Sequence, residues 1–151
     1  MATDRSAAVA AIAETAVSAD HREHRAAAIA EIVRRSGDYR WVGIYDVGDE
    51  EIAIVAWSGS GPPSYPRFPR TQGLSGAAAA SGETVVVDDV ASDPRYLEAF
   101  GDTRAEIIVP VLVDGIVRGT VDVESAIADA FGRADRAFLE QCAEAALPLW
   151  R

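Results

Sequence analysis

The chain has no lysine; all fourteen of its basic residues are arginine. Against 24 acidic residues they leave a formal net charge of −10 and a pI near 4.6. Nucleic acids and anionic lipid both require a basic footprint, so neither is an expected partner. Cysteine is almost absent as well. The single Cys142 excludes an internal disulfide framework and a cysteine-based metal cage, and it suits a reducing, cytoplasmic compartment. No apolar run approaches the ~20 residues of a bilayer span, and the opening M-A-T-D-R-S lacks the apolar core of a signal peptide. The arginine-only bias describes a genome or a salt-adapted proteome and gives no site.

What is present is 151 residues, 49% of them hydrophobic, enough to bury the core of one domain. Within it, residues 1–37 are expected to form a helical segment packed on the body of residues 38–151. The stretch that organises the body is E-I-I-V-P-V-L-V, then Asp114-Gly115, then I-V-R-G-T-V-D-V-E-S. An Asp-Gly pair between two strand-like runs is a strong hairpin signal, because a type I′ turn needs positive φ at both central positions. Pairing Val113 with Ile116 puts residues whose numbers sum to 229 opposite each other. Asp122 and Glu124 then share one face, whereas strand interiors are depleted in acids. Either that face meets solvent or it is the polar floor of a pocket. Pro110, which cannot donate to a ladder, points to a bulge. A one-residue bulge there flips Glu106 onto the face of Asp122 and Glu124.

Before the hairpin, helical spacing predicts a helix over residues 5–17 and a second from about Asp20 to Gly37, with Asp20 as cap and Glu23 closing a capping box. His21 and His24 are three apart, but with no further histidine they suggest solvent rather than metal. Residues 39–47 and 51–58 read as two strands, with Trp41, Gly43 and Tyr45 on one face. That pair of aromatics is either core packing or a pocket wall with Gly43 leaving room between the rings. Residues 58–73, rich in Gly and Pro, read as a long loop with a short edge strand near Arg67 and Phe68. A short helix over residues 74–81 follows, stopped by Gly82, and then a strand over residues 84–87. Asp93-Pro94 opens a further turn. A final helix from about Gly132 to Leu147, ended by Pro148, carries Cys142 as a small buried hydrophobe.

This is an α+β plan in which helices cover one face of an antiparallel sheet of five or six strands. The order of elements, with V-V-V-D-D-V-A-S-D-P-R-Y, G-T-V-D-V-E-S and F-G-R-A-D-R-A-F-L, resembles a GAF domain. Within that superfamily R-W-V-G-I-Y, G-L-S-G-A, A-E-I-I-V-P and G-T-V-D-V-E-S are similar, in order, to segments of the free methionine-(R)-sulfoxide reductases. The resemblance implies that Trp41 and Tyr45 contact a substrate methyl group and that Glu106, Asp122 and Glu124 hold the substrate, with Glu124 replacing an aspartate. It further implies catalytic cysteines at the positions that here hold Tyr65, Ser75 and Ala99, none of which can form or resolve a sulfenic acid.

The expected function is therefore a non-catalytic, sensor-type GAF protein. It would recognise a cationic or zwitterionic small molecule, such as an amino acid or methionine sulfoxide, through Trp41, Tyr45, Tyr65, Ser75, Glu106, Asp122 and Glu124, with no metal, cofactor or catalytic residue. The alternatives are a free L-methionine (R)-S-oxide reductase-like enzyme and a dimerisation or scaffold module with a vestigial pocket. The alanine-rich terminal helices are expected to supply a homodimer surface.

Overall fold

Alternating apolar residues build six strands: β1 (Trp41–Val47), β2 (Glu51–Gly59), β3 (Arg67–Pro69), β4 (Val85–Val87), β5 (Ala105–Val113) and β6 (Ile116–Ser125). The helices are α1 (Arg5–Ala16), α2 (Arg22–Ser36), α3 (Gly73–Ser81) and α4 (Arg133–Ala145). These elements belong to a computed structural model that describes residues 4–98 and 100–151. Among the described residues the strands form one antiparallel sheet in the order β3-β2-β1-β6-β5-β4. The α+β expectation is met.

The turn joining β5 to β6 has φ of 52° at Asp114 and 79° at Gly115, as a type I′ turn requires. Val113 pairs with Ile116 and Leu112 with Val117, but then the register shifts: Val111 pairs with Gly119 and Glu106 with Glu124. The bulge is thus real but misplaced in the expectation. Pro110 keeps a regular partner in Thr120, and the extra residue is Arg118 on the opposite strand. Exposed Arg118 can leave the ladder at the hairpin end without removing anything from the core. The bulge also turns Val117 to the face opposite Val121 and Val123, where it joins Tyr45 and Phe68.

One face of the sheet carries Val42, Ile44, Ile107, Val109, Val121 and Val123 against α1, α2 and α4. Cys142 is buried in this layer. Gly119 is needed here, because a Cβ would lie 2.3 Å from the Trp150 ring. Trp150 is fixed by its indole, which donates to Asp46 at 2.8 Å, while Arg22 grips the same carboxylate at 2.8 and 2.6 Å and donates to the Leu149 carbonyl. The chain reaches that position through a 3₁₀ turn, Leu147–Trp150, that contains Pro148. Proline therefore ends the α-helix without ending helical structure.

The N-terminal expectations need one correction. Helix α2 is capped at His21, with no side-chain cap bond. Glu23 then falls one position too early to close a capping box, and the Asp20 carbonyl instead accepts from Arg25. Asp93-Pro94 opens a turn as expected, with the Tyr96 N–H donating to the Asp93 carbonyl at 3.2 Å, and a 3₁₀ turn over Val90–Ser92, capped by the Asp89 side chain, precedes it. The second face of the sheet is covered by loops and, beyond the expectation, by α3, whose Leu74 and Ala78 pack on Val87 and Ile108.

Candidate functional site

Strand alternation from the bulge onward places Glu106 on β5 and Asp122 and Glu124 on β6 beneath α3 and the loops. Each is at most 6% exposed, and their carboxylate oxygens lie within 4.8 Å of one another. One cationic group could therefore contact all three. Thr103 Oγ1 donates to Glu124 Oε1 at 2.8 Å. Asp122 Oδ1 and Glu124 Oε2 are buried with no hydrogen-bond donor among the described residues, apart from a proton that Glu106 can carry toward Glu124. A buried polar atom without a partner costs about 1–3 kcal/mol, which marks the cluster as incomplete rather than structural.

Burial, then the neighbouring carboxylate charges, push Glu106 and Asp122 well above the usual carboxylate range. Burial raises Glu124 too, but the Thr103 hydroxyl, Glu106 and the Arg40 charge pull it back. Tyr45 is likewise raised, first by burial and then by the three acids. Burial and mutual repulsion therefore favour the protonated forms in the empty cluster, and a bound cation favours the ionised ones.

Glu106 and Asp122 face a small cavity of about 30 Å³ that Tyr45, Tyr65, Ser75 and Leu97, among others, also line. Ser75 is buried in the first turn of α3, and Tyr65 stands at the rim, 47% exposed. Five of the seven predicted site residues thus line one space. Trp41 and Glu124, both fully buried, stand behind it. Trp41 packs on Tyr45 and Phe100 at ring distances of 6.4 and 5.3 Å and donates its indole N–H to the Gly61 carbonyl at 2.9 Å. The glycine between the two aromatics has the expected role, since a Cβ on Gly43 would lie 2.2 Å from the Trp41 ring. Core and wall readings of Trp41 merge: it is core that supports the wall.

Ala99 lies outside the described residues. Tyr96 packs beside Val87 and Ile108, and its neighbour Leu97 reaches the cavity. Sequence reading missed Thr103 and the apolar lining from Pro63, Phe68 and Leu97, because no spacing rule links loops or a short edge strand to the face of a distant strand. Cys142 is on the helix side of the sheet, where burial pushes its thiol up to about 12. His21 and His24 sit ring to ring at 5.9 Å at the start of α2, away from the acids. A wider groove of about 570 Å³ runs between α4 and the outer edge of β5. Its Arg136 and Glu140 pair with each other, and among the described residues it holds no unpartnered buried polar atom.

A sheet with helices on one face and a buried, incomplete polar cluster on the other defines a ligand-binding fold. The chain belongs to the GAF domain family, whose model matches residues 21–146. It is 30% identical over 107 residues to the protein YtsP of Bacillus subtilis, and 30% identical over 109 residues to the free methionine-R-sulfoxide reductase of Saccharomyces cerevisiae. Each match covers 71% of this chain, but only 66% and 61% of those relatives' own lengths. Its fold superposes with a TM-score of 0.88 on the free methionine-R-sulfoxide reductase of Neisseria meningitidis in complex with its substrate. That likeness has 27% identity and covers 99% of this chain and 92% of that one.

Proposed function

We propose that this chain binds a small zwitterionic amino acid, its ammonium group held by Glu106 and Asp122 and its side chain against Tyr45, in the manner of a sensor. The observation that carries this reading is the cluster of three buried carboxyl groups, Glu106 and Asp122 lining one cavity with Glu124 behind them, and an unpartnered oxygen on Asp122 and on Glu124. A cation supplies the missing partner and relieves the mutual repulsion. The cavity holds about one water's volume, so a ligand enters by displacing rim side chains such as Tyr65. Free methionine-R-sulfoxide is the first candidate, because the relatives named above as reductases act on that class of molecule.

Those same relatives favour a second reading, an enzyme of the reductase type. Reducing a sulfoxide to a thioether consumes two electrons and two protons and releases water. With Cys142 buried on the far face, both electrons would come from two external thiols, which leave as a disulfide. A homodimer built on the terminal helices and a cytoplasmic location complete the proposal.

The test is a thermal-shift screen of free amino acids and their oxidised derivatives, run beside a turnover assay with thiol donors. A ligand at about 100 times its dissociation constant stabilises the fold by ~2.7 kcal/mol. A shift that disappears in Asp122→Asn supports binding, and accompanying turnover supports the enzyme. No shift from any compound returns the chain to a dimerisation module with a vestigial pocket.

A further inference from the structure

The groups that surround Glu124 from outside the cavity form a chain of contacts that begins at Arg40. Its backbone N–H donates to the Glu124 carbonyl at 3.0 Å, which ties the two residues together at the start of β1. Its guanidinium lies 4.5 Å from the centre of the Phe100 ring and meets Asp102 Oδ1 at 2.5 Å. Phe100 in turn packs on Trp41, the cross-strand partner of Glu124, and its carbonyl accepts from the backbone N–H of Thr103 at 3.3 Å. The Thr103 hydroxyl closes the circuit on Glu124 Oε1. Arg40 thus grips the segment that positions the hydroxyl bound to Glu124. Its side chain is only 18% exposed, and its Nε and Nη1 are buried with no acceptor among the described residues.

An exposed ion pair would bring little. A largely buried guanidinium with two unused donors is costly, so its position beside a buried acid calls for a reason. We propose that Arg40 is a positioning residue for the carboxyl site, holding Glu124 in place and charged while itself touching no ligand. The charged groups around Glu124 are Glu106 on β5, Asp122 on its own strand, Arg40 before β1 and Asp102 on the preceding loop; Tyr45 is the neutral titratable neighbour. Arg40 is the one cation in this set. It makes the cluster asymmetric, with Glu124 as the anion and Glu106 and Asp122 as the groups that exchange protons with a ligand. The direction of the shifts agrees, because the Arg40 charge pulls Glu124 back from the rise that burial imposes.

The inference rests on the amino-acid reading for its effect on affinity, but not for its effect on Glu124 itself. The experiment is a ¹³C NMR titration of the glutamate and aspartate side-chain carboxyls in the full chain without ligand, compared with Arg40→Met, Arg40→Lys and Asp102→Asn. Glu124 should titrate at higher pH in Arg40→Met, return toward the wild-type value in Arg40→Lys, and move to lower pH in Asp102→Asn, where the competing negative charge is gone. Thr103→Val, which keeps Arg40 but removes the hydroxyl, should also raise it. If Arg40→Met does not fold, a charge effect still requires a downward shift in Asp102→Asn beside a near-wild-type titration in Arg40→Lys. An unchanged Glu124 titration in Arg40→Met, or an upward shift in Asp102→Asn, overturns the proposal. With L-methionine sulfoxide as probe, Arg40→Met should bind about tenfold more weakly, the scale for loss of a supporting partner. Failure of the wild type to bind that probe refutes the ligand assignment and leaves the carboxyl titration to decide the role of Arg40.

Discussion

Asp46 and Asp122 are aspartates on neighbouring strands of one sheet, facing opposite ways, and they are treated in opposite fashion. Asp46 accepts two bonds from Arg22 and one from Trp150. Partial burial would push it up, but those donors outweigh burial and hold it below the usual aspartate range. Asp122 is more deeply buried, has an oxygen with no donor, and is pushed up. A carboxylate whose partners come from the protein fastens the C-terminal turn to the helix layer. A carboxylate whose partners are withheld stores affinity for something else. The difference lies in the packing layer: helices bring arginine and indole to one face, whereas α3 and the loops bring tyrosine, serine and leucine to the other.

The comparison predicts that core deletions on the helix face cost stability without touching recognition. Ile107→Ala, at a fully buried position beside Glu106, should lose about 2–5 kcal/mol in chemical denaturation. Whatever ligand a screen finds should still raise its melting temperature; loss of that response would mean that the two faces are not separable.

On the other face the sign reverses. Asp122→Asn should gain about 1–2 kcal/mol at neutral pH, because a neutral amide needs neither a buried charge nor the proton uptake that avoids one, while abolishing ligand binding. The pH dependence follows from linkage. Groups with raised pKa values favour the folded state while protonated, so the triad's contribution is lost as pH rises from the ordinary carboxylate range through their elevated values. Asp46, held low, contributes above the ordinary aspartate range and loses its contribution as pH falls through its folded value. Melting curves of wild type, Asp122→Asn and Asp46→Asn across pH should therefore flatten at opposite ends. Ligand affinity, which needs ionised acids, should fall on acidification.

Cys142→Ala should cost about 1 kcal/mol by denaturation and leave any thiol-driven turnover unchanged, since the thiol is buried and pushed up to about 12. A loss of turnover would place the redox chemistry on the wrong side of the sheet in this account. The smallest effect belongs to Glu51→Gln, at an exposed pair with Arg67, which should remain within about 0.5 kcal/mol.

Much of this was legible in the chain itself. Asp114-Gly115 specified its turn because few residues accept two successive left-handed conformations. Gly82 stopped α3 for a related reason, with φ of 68°. The acids were legible as a face because period-two alternation survives burial. The bulge was half legible: Pro110 announced an irregularity, yet which strand absorbs it depends on the layer packed on each side, and exposed Arg118 yields more easily than the buried β5. Thr103 and Arg40 were invisible as site residues. Their contacts run through Phe100 and Asp102, in a loop whose course no periodicity describes. The smallness of the cavity was equally hidden, since it depends on side chains meeting from six separate segments.

The bulge at Arg118 has a consequence for inheritance. In a hairpin closed by a two-residue turn, an even-numbered residue faces an odd-numbered one, so 106 and 124 can be partners only because one residue steps out between them. The arrangement is a matter of parity. Descendants of this gene can gain or lose residues in pairs around the turn and keep all three acids together. A single insertion or deletion within the paired strands survives only if the bulge or the turn absorbs it; otherwise it sends one or more of the acids to the helix side and dissolves the site while leaving the sheet intact. Length variation in this hairpin among related chains should therefore separate lineages that kept the pocket from those that kept only the scaffold.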